Sequence, residues 1–533
     1  MTLDDQTCYR ALVARDVRFD GVFFVGVTTT GIYCRPVCTA RTPGRDRCRF
    51  FPHAALAERE GFRPCLRCRP ELAPGHAPID VVANLARRAA ARIDAGALHD
   101  GGGIEQLALD LGISSRQLRR AVRQEFGVSP VELAQTNRLL LAKQLLVESN
   151  LPLIDVALAS GFASVRRFNA LFRQHYGLVP SRVRSSRRAA AGGDCLKLTL
   201  MYRPPFAWPE MLRFLAGRAT LGVETIEGES YLRTVAVGTV RGWLRVAPLR
   251  GRHALSVELA TSLIGVLPAV IAKLRFVFDL AARPDVIGSH LATDPRLAVL
   301  VERTPGLRVP GAFCGFELAV RAILGQQVSV AAATTLAGRL AEQFGDSVET
   351  PFSKLNRLSP SPARLAAATV AEMTRLGILK SRAQCIRDLA VAVSGGTIDL
   401  EPGTNPEAVI AGLLAIPGIG DWTASYVALR ALRWPDAFPA GDLGLIRSSG
   451  ASSPAELRQM AEAWRPWRAY AAMHFWNHLA DPARSDHAQE RVLSPAAQSD
   501  RRAAVSLGRR RANGAVHVRS QRGTGARTGV APR

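Results

Sequence analysis

The chain has 533 residues, 47% of them hydrophobic, which is too long for one ordinary core and enough for about three or four domains. With 69 Lys and Arg against 45 Asp and Glu, its formal charge is +24, pointing to a polyanionic partner, because clustered cations gain affinity by releasing counterions from phosphates. A membrane protein and a disulfide scaffold are disfavoured: the longest apolar run, Leu263 to Ala272, holds Pro268 and meets Lys273, and the nine cysteines are odd in number with four in two tight pairs. The N-terminus MTLDDQTCYR has neither the basic nor the apolar region of a signal peptide, so a cytoplasmic location is expected.

Residues 1–75 carry short β-prone runs such as VFFVGV, punctuated by Gly and Pro, around the spacing Cys34-x3-Cys38 and Cys65-x2-Cys68. Four thiolates in two close pairs suit one tetrahedral Zn²⁺. By spacing alone, a purely structural zinc knuckle is the plainer reading. The wider strings RFDGVFFVGVTTTGIYCRPVC and GFRPCLRC resemble the N-terminal domain of the Ada adaptive-response proteins. That resemblance implies that Cys34 is both zinc ligand and acceptor of a methyl group from an alkylated DNA phosphotriester. Thiolate is the nucleophilic form that zinc preserves at neutral pH. Methylation removes one negative charge near the phosphates, so DNA affinity should rise after reaction. Arg35, Arg45, Arg63, Arg67 and Arg69 are candidate phosphate contacts, each also readable as a solvated surface charge. Cys8, Cys48, Cys195, Cys314 and Cys385 have no partner at ligand spacing and read as ordinary thiols.

From residue 76 to 184 the periodicity is helical. LALDLGISSRQLRRAVRQEFGVSP and VALASGFASVRRFNALFRQHYGLVP repeat one unit, matching at Ala108/Ala157, Gly112/Gly161, Gly127/Gly177 and Pro130/Pro180. A small residue, a Gly turn and an Arg- or Gln-bearing helix is the pattern of a helix-turn-helix, although one such copy is also a generic helical hairpin. Two copies joined by the helix through QTNRLLLAKQLL resemble the AraC-type regulators. Base-reading candidates are Arg116, Gln117 and Arg120 in the first copy and Ser164, Arg166, Arg167 and Asn169 in the second. The Pro-Cys-His-Arg motif of the second Ada methyltransferase domain is missing, so repair of O6-methylguanine is not expected.

Arg184 to Asp194 has linker composition. Beyond it, LKLTLMY, YLRTVAVGTV and HALSVEL predict a small antiparallel sheet up to about Leu259, within a domain placed at 195–310. Helical periodicity dominates the next domain, 311–483. Residues 484–533 hold 11 basic and 3 acidic side chains without an apolar face and read as a disordered basic tail.

Within 311–483, EAVIAGLLAIPGIGDWTASYVALRALRW reads as helix, Pro-Gly-Ile-Gly turn and helix. Gly418 and Gly420 allow close approach to a phosphate, and the next helix N-terminus offers free N–H groups. This is a helix-hairpin-helix, followed by FPAGDLGL with Asp442. On its own that Asp is a helix cap or turn former. From about Leu196 to Leu479 the chain resembles the AlkA branch of 3-methyladenine DNA glycosylases, carried by RGWLRVAP, FELAVRAILGQQVSV, LAIPGIGDWTASYVALRAL and AEAWRPWRAYAAMHFW. The resemblance implies that Asp442 is catalytic and that Trp422, Tyr426 and Trp476 line an aromatic pocket for a flipped, electron-poor base. All three are also plausible core residues. Lyase-type relatives place Lys where Trp422 stands, so a monofunctional enzyme is implied. Gln327 occupies the position at which the best-known family member inserts an apolar wedge.

The expected fold is multidomain and mainly α: a small zinc-bound α+β domain, an all-α double helix-turn-helix, an α+β N-terminal subdomain, and a helix-hairpin-helix glycosylase α domain. Expected partners are double-stranded DNA, both alkylated sites and promoters, and RNA polymerase; no membrane partner is expected, and the protein is expected to be a monomer. The alternatives are a damage-responsive activator with an inactive glycosylase region, or a zinc-dependent DNA binder without chemistry.

Overall fold

Two very short strands, brought parallel, organise the N-terminal domain. In the computed structural model, which describes residues 3–75, 84–99, 103–184 and 195–480, the strands β1 (Phe24–Val27), β2 (Ile32–Cys34), β3 (Cys48–Phe51) and β4 (Arg63–Pro64) form a sheet of order β3-β1-β2-β4. β2 and β4 pair in parallel with Tyr33 opposite Pro64. Cys34 and Cys65, each the next residue along, therefore come side by side. Phe24, Tyr33, Phe51, Ala57 and Phe62 pack behind the sheet. Gly26 is required by that packing, since a Cβ there would lie 2.7 Å from the Phe51 ring and 2.8 Å from Phe62.

The sequence repeat becomes two helix pairs, Ile104–Asp110 with Ser115–Phe126 and Leu153–Ala159 with Val165–Tyr176, bridged by the linker helix Pro130–Glu148. The repeated glycines follow from backbone geometry. Gly112 and Gly161 make the turns at φ +70° and +80°, and Gly127 and Gly177 cap the second helices at +72° and +64°, a region that costs other residues ~1–2 kcal/mol. Ser114 with Gln117 and Ser129 with Glu132 form capping boxes that start two of the helices. Leu118, Val122 and Phe126 in the first copy, and Phe168, Phe172 and Tyr176 in the second, line the buried faces at helical spacing.

The expected antiparallel sheet is present with five strands: β5 (Cys195–Met201), β6 (Glu224–Glu227), β7 (Ser230–Val237), β8 (Val240–Pro248) and β9 (Ala254–Ala260), in the order β5-β9-β8-β7-β6. Leu196, Leu198 and Leu200 alternate inward along β5. The open edge of β5 is closed by the linker helix: Thr199 N donates to Glu148 Oε2 (3.0 Å) and Gln144 Nε2 donates to the Thr199 carbonyl (2.9 Å). One apolar core runs from Leu139, Leu145 and Leu146 of the linker helix through Phe168 and Phe172 into the sheet at Leu198, Leu244 and Val257. The paired helix-turn-helix region and the sheet are thus packed as one body. Arg203 fastens the zinc domain to the same body, with Nε donating to the Asp20 carbonyl (2.8 Å) and Nη1 to that of Ala281 (2.6 Å).

The remaining helices enclose the largest core, which includes Leu324, Ile386, Leu413, Val427, Leu445 and Trp464. Here the expected hairpin forms between helices Pro406–Leu414 and Asp421–Arg430. All but the first residue of the expected 184–194 linker, and the whole expected tail at 484–533, lie outside the described residues. Among the described residues no helix is long and apolar enough to cross a membrane.

Candidate functional site

Gly418 is forced by two constraints. Its φ is +96°, and a Cβ would press to 3.3 Å on Cys385 of a neighbouring helix. Gly420, by contrast, faces open space and caps the following helix without a side chain. Gln326 supports the turn, donating to the Gly418 carbonyl (2.8 Å) and to Thr423 Oγ1 (3.1 Å). The adjacent Gln327 is exposed at φ +55°, a strained conformation for a residue with a side chain. It projects beside the exposed Val328 and Val330.

The helix behind this turn places Trp422 and Tyr426 one turn apart, so their rings meet. The centroids lie 5.3 Å apart with planes only 7° from parallel, and Tyr426 meets Trp476 edge-on at 6.1 Å. Asp442 stands at this aromatic group. It caps the short helix Leu443–Ser449, its Oδ1 accepting from Leu445 N (2.9 Å). The same carboxylate accepts from two indoles: Trp476 Nε1 donates to Oδ1 (3.1 Å) and Trp422 Nε1 to Oδ2 (2.9 Å). It remains partly exposed. The cap geometry and the aromatic setting therefore belong to one residue, and the three donors fix the carboxylate's orientation.

The Tyr426 hydroxyl accepts from Arg430 Nη1 (3.1 Å). Burial alone would raise this phenol, but the nearby Arg430 and Arg218 guanidinium groups outweigh it and bring it down to about 8. Gln326, Arg218 and Arg430 are site residues that sequence reasoning missed. Arg430 carried a signal, the i+4 spacing from Tyr426; Arg218, more than two hundred residues away in sequence, carried none.

In the zinc domain the Sγ atoms of Cys34, Cys38, Cys65 and Cys68 all lie within 4.8 Å of one another. Four sulfurs ~2.3 Å from a tetrahedral zinc stand ~3.8 Å apart, so the quartet fits one Zn²⁺ and constitutes a zinc site. Cys38 and Cys65 are buried, while Cys34 and Cys68 are partly exposed. The Arg35 amide donates to Cys68 Sγ (3.3 Å). As a phosphate contact Arg35 is corrected: its side chain is buried in an ion pair with Asp20, with Nε donating to Oδ1 (2.7 Å) and Nη1 to the Cys68 carbonyl (3.0 Å). Arg45 pairs with Asp5, and Arg69 with Glu71 and Glu148. Arg63 and Arg67 remain exposed.

On the second helix of each pair Arg116, Arg120, Arg166 and Arg167 are exposed and Asn169 is partly so. Gln117 and Ser164 are occupied in capping: Gln117 Oε1 accepts from Ser114 N (3.0 Å), and Ser164 Oγ accepts from Arg167 N (3.1 Å).

Four family models match the chain: the metal binding domain of Ada over residues 7–71, a helix-turn-helix domain over 107–186, the AlkA N-terminal domain over 197–314, and the HhH-GPD superfamily base excision DNA repair protein over 320–466. The probable bifunctional transcriptional activator/DNA repair enzyme AlkA of Mycobacterium tuberculosis is 37% identical over 498 residues, 92% of this chain and 99% of that protein. DNA-3-methyladenine glycosylase 2 of Escherichia coli is 38% identical over 278 residues, 52% of this chain and 96% of that protein. The bifunctional transcriptional activator/DNA repair enzyme Ada of Escherichia coli is 46% identical over 71 residues, 13% of this chain and 20% of that protein. With the zinc quartet, the paired helix-turn-helix units and the hairpin with its carboxylate all in place along one polypeptide, the chain belongs to the family of bifunctional AlkA transcriptional activator/DNA repair enzymes.

Proposed function

We propose that this protein repairs alkylated double-stranded DNA and regulates transcription, with base excision as its catalytic activity. The observation that carries excision is the Asp442 carboxylate, held by the indole N–H groups of Trp422 and Trp476 beside the stacked Trp422 and Tyr426 rings. In this reading the hairpin at Gly418 and Gly420 grips the backbone, Gln327 fills the gap left by the extruded base, and the base enters among Trp422, Tyr426 and Trp476. As the N-glycosidic bond breaks, its electron pair leaves with the base nitrogen and positive charge builds on the sugar. Asp442 stabilises that charge and orients water, whose oxygen bonds to C1′; an alkylated cationic base leaves neutral, so the water's proton passes to the Asp442 carboxylate and on to solvent. Trp422 occupies the position at which lyase-type relatives carry the Schiff-base lysine, so the product in this reading is an unincised abasic site. Released bases scored on methylated duplex DNA test the assignment. Asp442→Asn should lower release by ~10²-fold or more, and unchanged release would refute it.

Cys34 is proposed as acceptor of a methyl group from a DNA methylphosphotriester. The zinc ligands are Cys34, Cys38, Cys65 and Cys68, and the metal, when bound, keeps the acceptor sulfur ionised. The Cys34 sulfur forms a bond to the methyl carbon as the carbon–oxygen bond breaks, and the electron pair stays on the phosphodiester oxygen. Cys34 is partly exposed, as Cys68 is, which is compatible with this choice, and the exposed Arg63 and Arg67 are candidate phosphate contacts. Transfer of labelled methyl to a folded, zinc-loaded Cys34→Ala protein would refute it. Promoter recognition is assigned to Arg116, Gln117, Arg120, Ser164, Arg166, Arg167 and Asn169, with RNA polymerase as the downstream partner and a cytoplasmic monomer as the working form.

A further inference from the structure

Asp279 is fully buried in the turn that follows helix Leu267–Val277, with its backbone at φ +51°. Arg433, at φ +49°, lies in the turn that follows helix Asp421–Arg430. Left-handed backbone is costly for a residue with a side chain, and here two such residues face each other in an ion pair of 2.9 Å. The Asp279 carboxylate is fully spent: Oδ1 takes the Arg433 guanidinium, and Oδ2 accepts from the Tyr470 hydroxyl (2.7 Å). Its backbone carbonyl accepts from the buried Arg308, and Arg433 also donates to the Phe276 carbonyl (2.8 Å). Burial, and then the Asp279 charge, push the Tyr470 phenol well above its ordinary value, so it stays a donor.

Both partners of Asp279 belong to elements that hold the excision carboxylate. Arg433 stands three residues past the end of the helix that carries Trp422. Tyr470 stands on helix Arg468–Leu479, six residues before Trp476, or ~9 Å along a hydrogen-bonded rod that carries a shift from one end to the other. Trp422 and Trp476 donate the two indole N–H groups that orient Asp442. Asp436 and Arg468 join these two elements directly (2.7 Å); Asp279 fixes the pair to the sheet-bearing region as well. Hydrogen bonds weaken steeply with misalignment, so the spacing of the two helices decides whether both indoles reach the carboxylate.

We infer that Asp279 is a positioning residue for base excision, setting through Arg433 and Tyr470 the separation of the two helices whose indoles orient Asp442. The inference rests on the glycosylase reading above and adds to it a buried group that cannot itself reach the base. Removing the Tyr470 hydroxyl frees one helix from the clamp, and the Trp476 indole moves relative to that of Trp422. Asp442 then faces the sugar in a less fixed orientation, which slows the chemical step and leaves the grip of the hairpin on the duplex as it was.

The experiment compares the full-length protein with its Tyr470→Phe and Asp279→Asn variants, well below the midpoint of unfolding of each. Tyr470→Phe removes one hydroxyl and leaves the ion pair with Arg433 in place, so it decides the question even where Asp279→Asn fails to fold. Three quantities are read: single-turnover release of 7-methylguanine from a duplex carrying that base, affinity for the same duplex undamaged, and the indole N–H resonances of protein labelled with ¹⁵N-tryptophan. Trp243, on β8 against Phe352, is the internal standard. Expected for Tyr470→Phe is ~10-fold slower release, duplex affinity within ~2-fold of wild type, and a displaced Trp422 or Trp476 resonance with that of Trp243 in place. Release at the wild-type rate, or slower release with both of the former resonances unmoved, overturns the inference while excision stands. So does a change in release, duplex affinity and the Trp243 resonance together, which is what general loosening of the fold produces. A wild-type protein that releases no 7-methylguanine defeats the glycosylase reading itself, and the inference with it.

Discussion

Lys143 and Glu71 form an ion pair of 2.6 Å, each side chain only 1% exposed, and the same ammonium donates to the carbonyl of the zinc ligand Cys65 at 3.1 Å. Lys143 belongs to the linker helix and Glu71 to the zinc domain, so the metal centre and the helix-turn-helix pair share one buried polar contact. A second contact lies beside it, where Glu58 accepts from Tyr33 (3.0 Å) and from Thr136 of the linker helix (2.8 Å).

Removing one partner of such a pair leaves a buried charge with reduced compensation, a loss of ~3–5 kcal/mol at full burial. Arg69, which donates to Glu71 Oε1 at 3.0 Å, offsets part of it. Lys143→Met should therefore lower the midpoint of thermal unfolding by several degrees and speed zinc release to a chelator, whereas Lys143→Met with Glu71→Leu should recover most of the stability. Melting curves and chelator kinetics on the three proteins decide the matter.

Zinc removal should act on one region. The N-terminal sheet has a small core and draws ~10–16 kcal/mol of apparent folding free energy from a tetrathiolate zinc site. Chelation is expected to open residues 1–75 to proteases while base release, which depends on a separate core, persists. Limited proteolysis beside a base-release assay reads both, and parallel loss of excision would contradict this separation.

Acid should loosen the glycosylase domain through His474, two residues before Trp476. Burial holds this imidazole down to about 4 against an ordinary value of 6.5, so it folds neutral. A depressed value means stability that is complete above pH 6.5 and is lost as pH falls toward 4, by about 3 kcal/mol in all. His474→Gln should flatten that part of the stability-versus-pH curve, as measured by denaturant titration at pH 4.5 and pH 7.5. A curve unchanged by the substitution would assign the acid sensitivity elsewhere.

Asp421 occupies the first turn of the helix behind the hairpin and is exposed. A carboxylate there suits the helix dipole but opposes a phosphate approaching the same amides. Asp421→Asn should tighten binding to undamaged duplex ~2–5-fold at low salt, and the gain should shrink as salt rises. Affinity measured across ionic strength tests this; a gain independent of salt would point to another cause.

The legible parts of the sequence were those written locally. The cysteine spacing anticipated the quartet, because two residues three or four apart reach one ion wherever the pairs are brought together. The glycine repeat anticipated both turns, because only a left-handed backbone explains glycine at those positions. Asp442 shows the limit: its neighbours suggest a cap, and it is a cap, yet what sets it apart is two indoles 20 and 34 residues away. Arg35 was misread for the same reason. Beside two cysteines it looks like a phosphate ligand, but Asp20, fifteen residues back, takes its guanidinium inside. Arg218 and the core shared by linker helix and sheet are products of chain folding over long separations, which no short-range periodicity records.

That shared core has a practical corollary. Cleaving the polypeptide at residue 184 would not yield two finished halves, because Leu145, Phe168 and Phe172 on one side and Leu198 and Val257 on the other shield each other from water. Each fragment would present a sticky oily surface and tend to self-associate. The helix-turn-helix region and the sheet are in this sense held together by the oil they share and not merely by the peptide that links them.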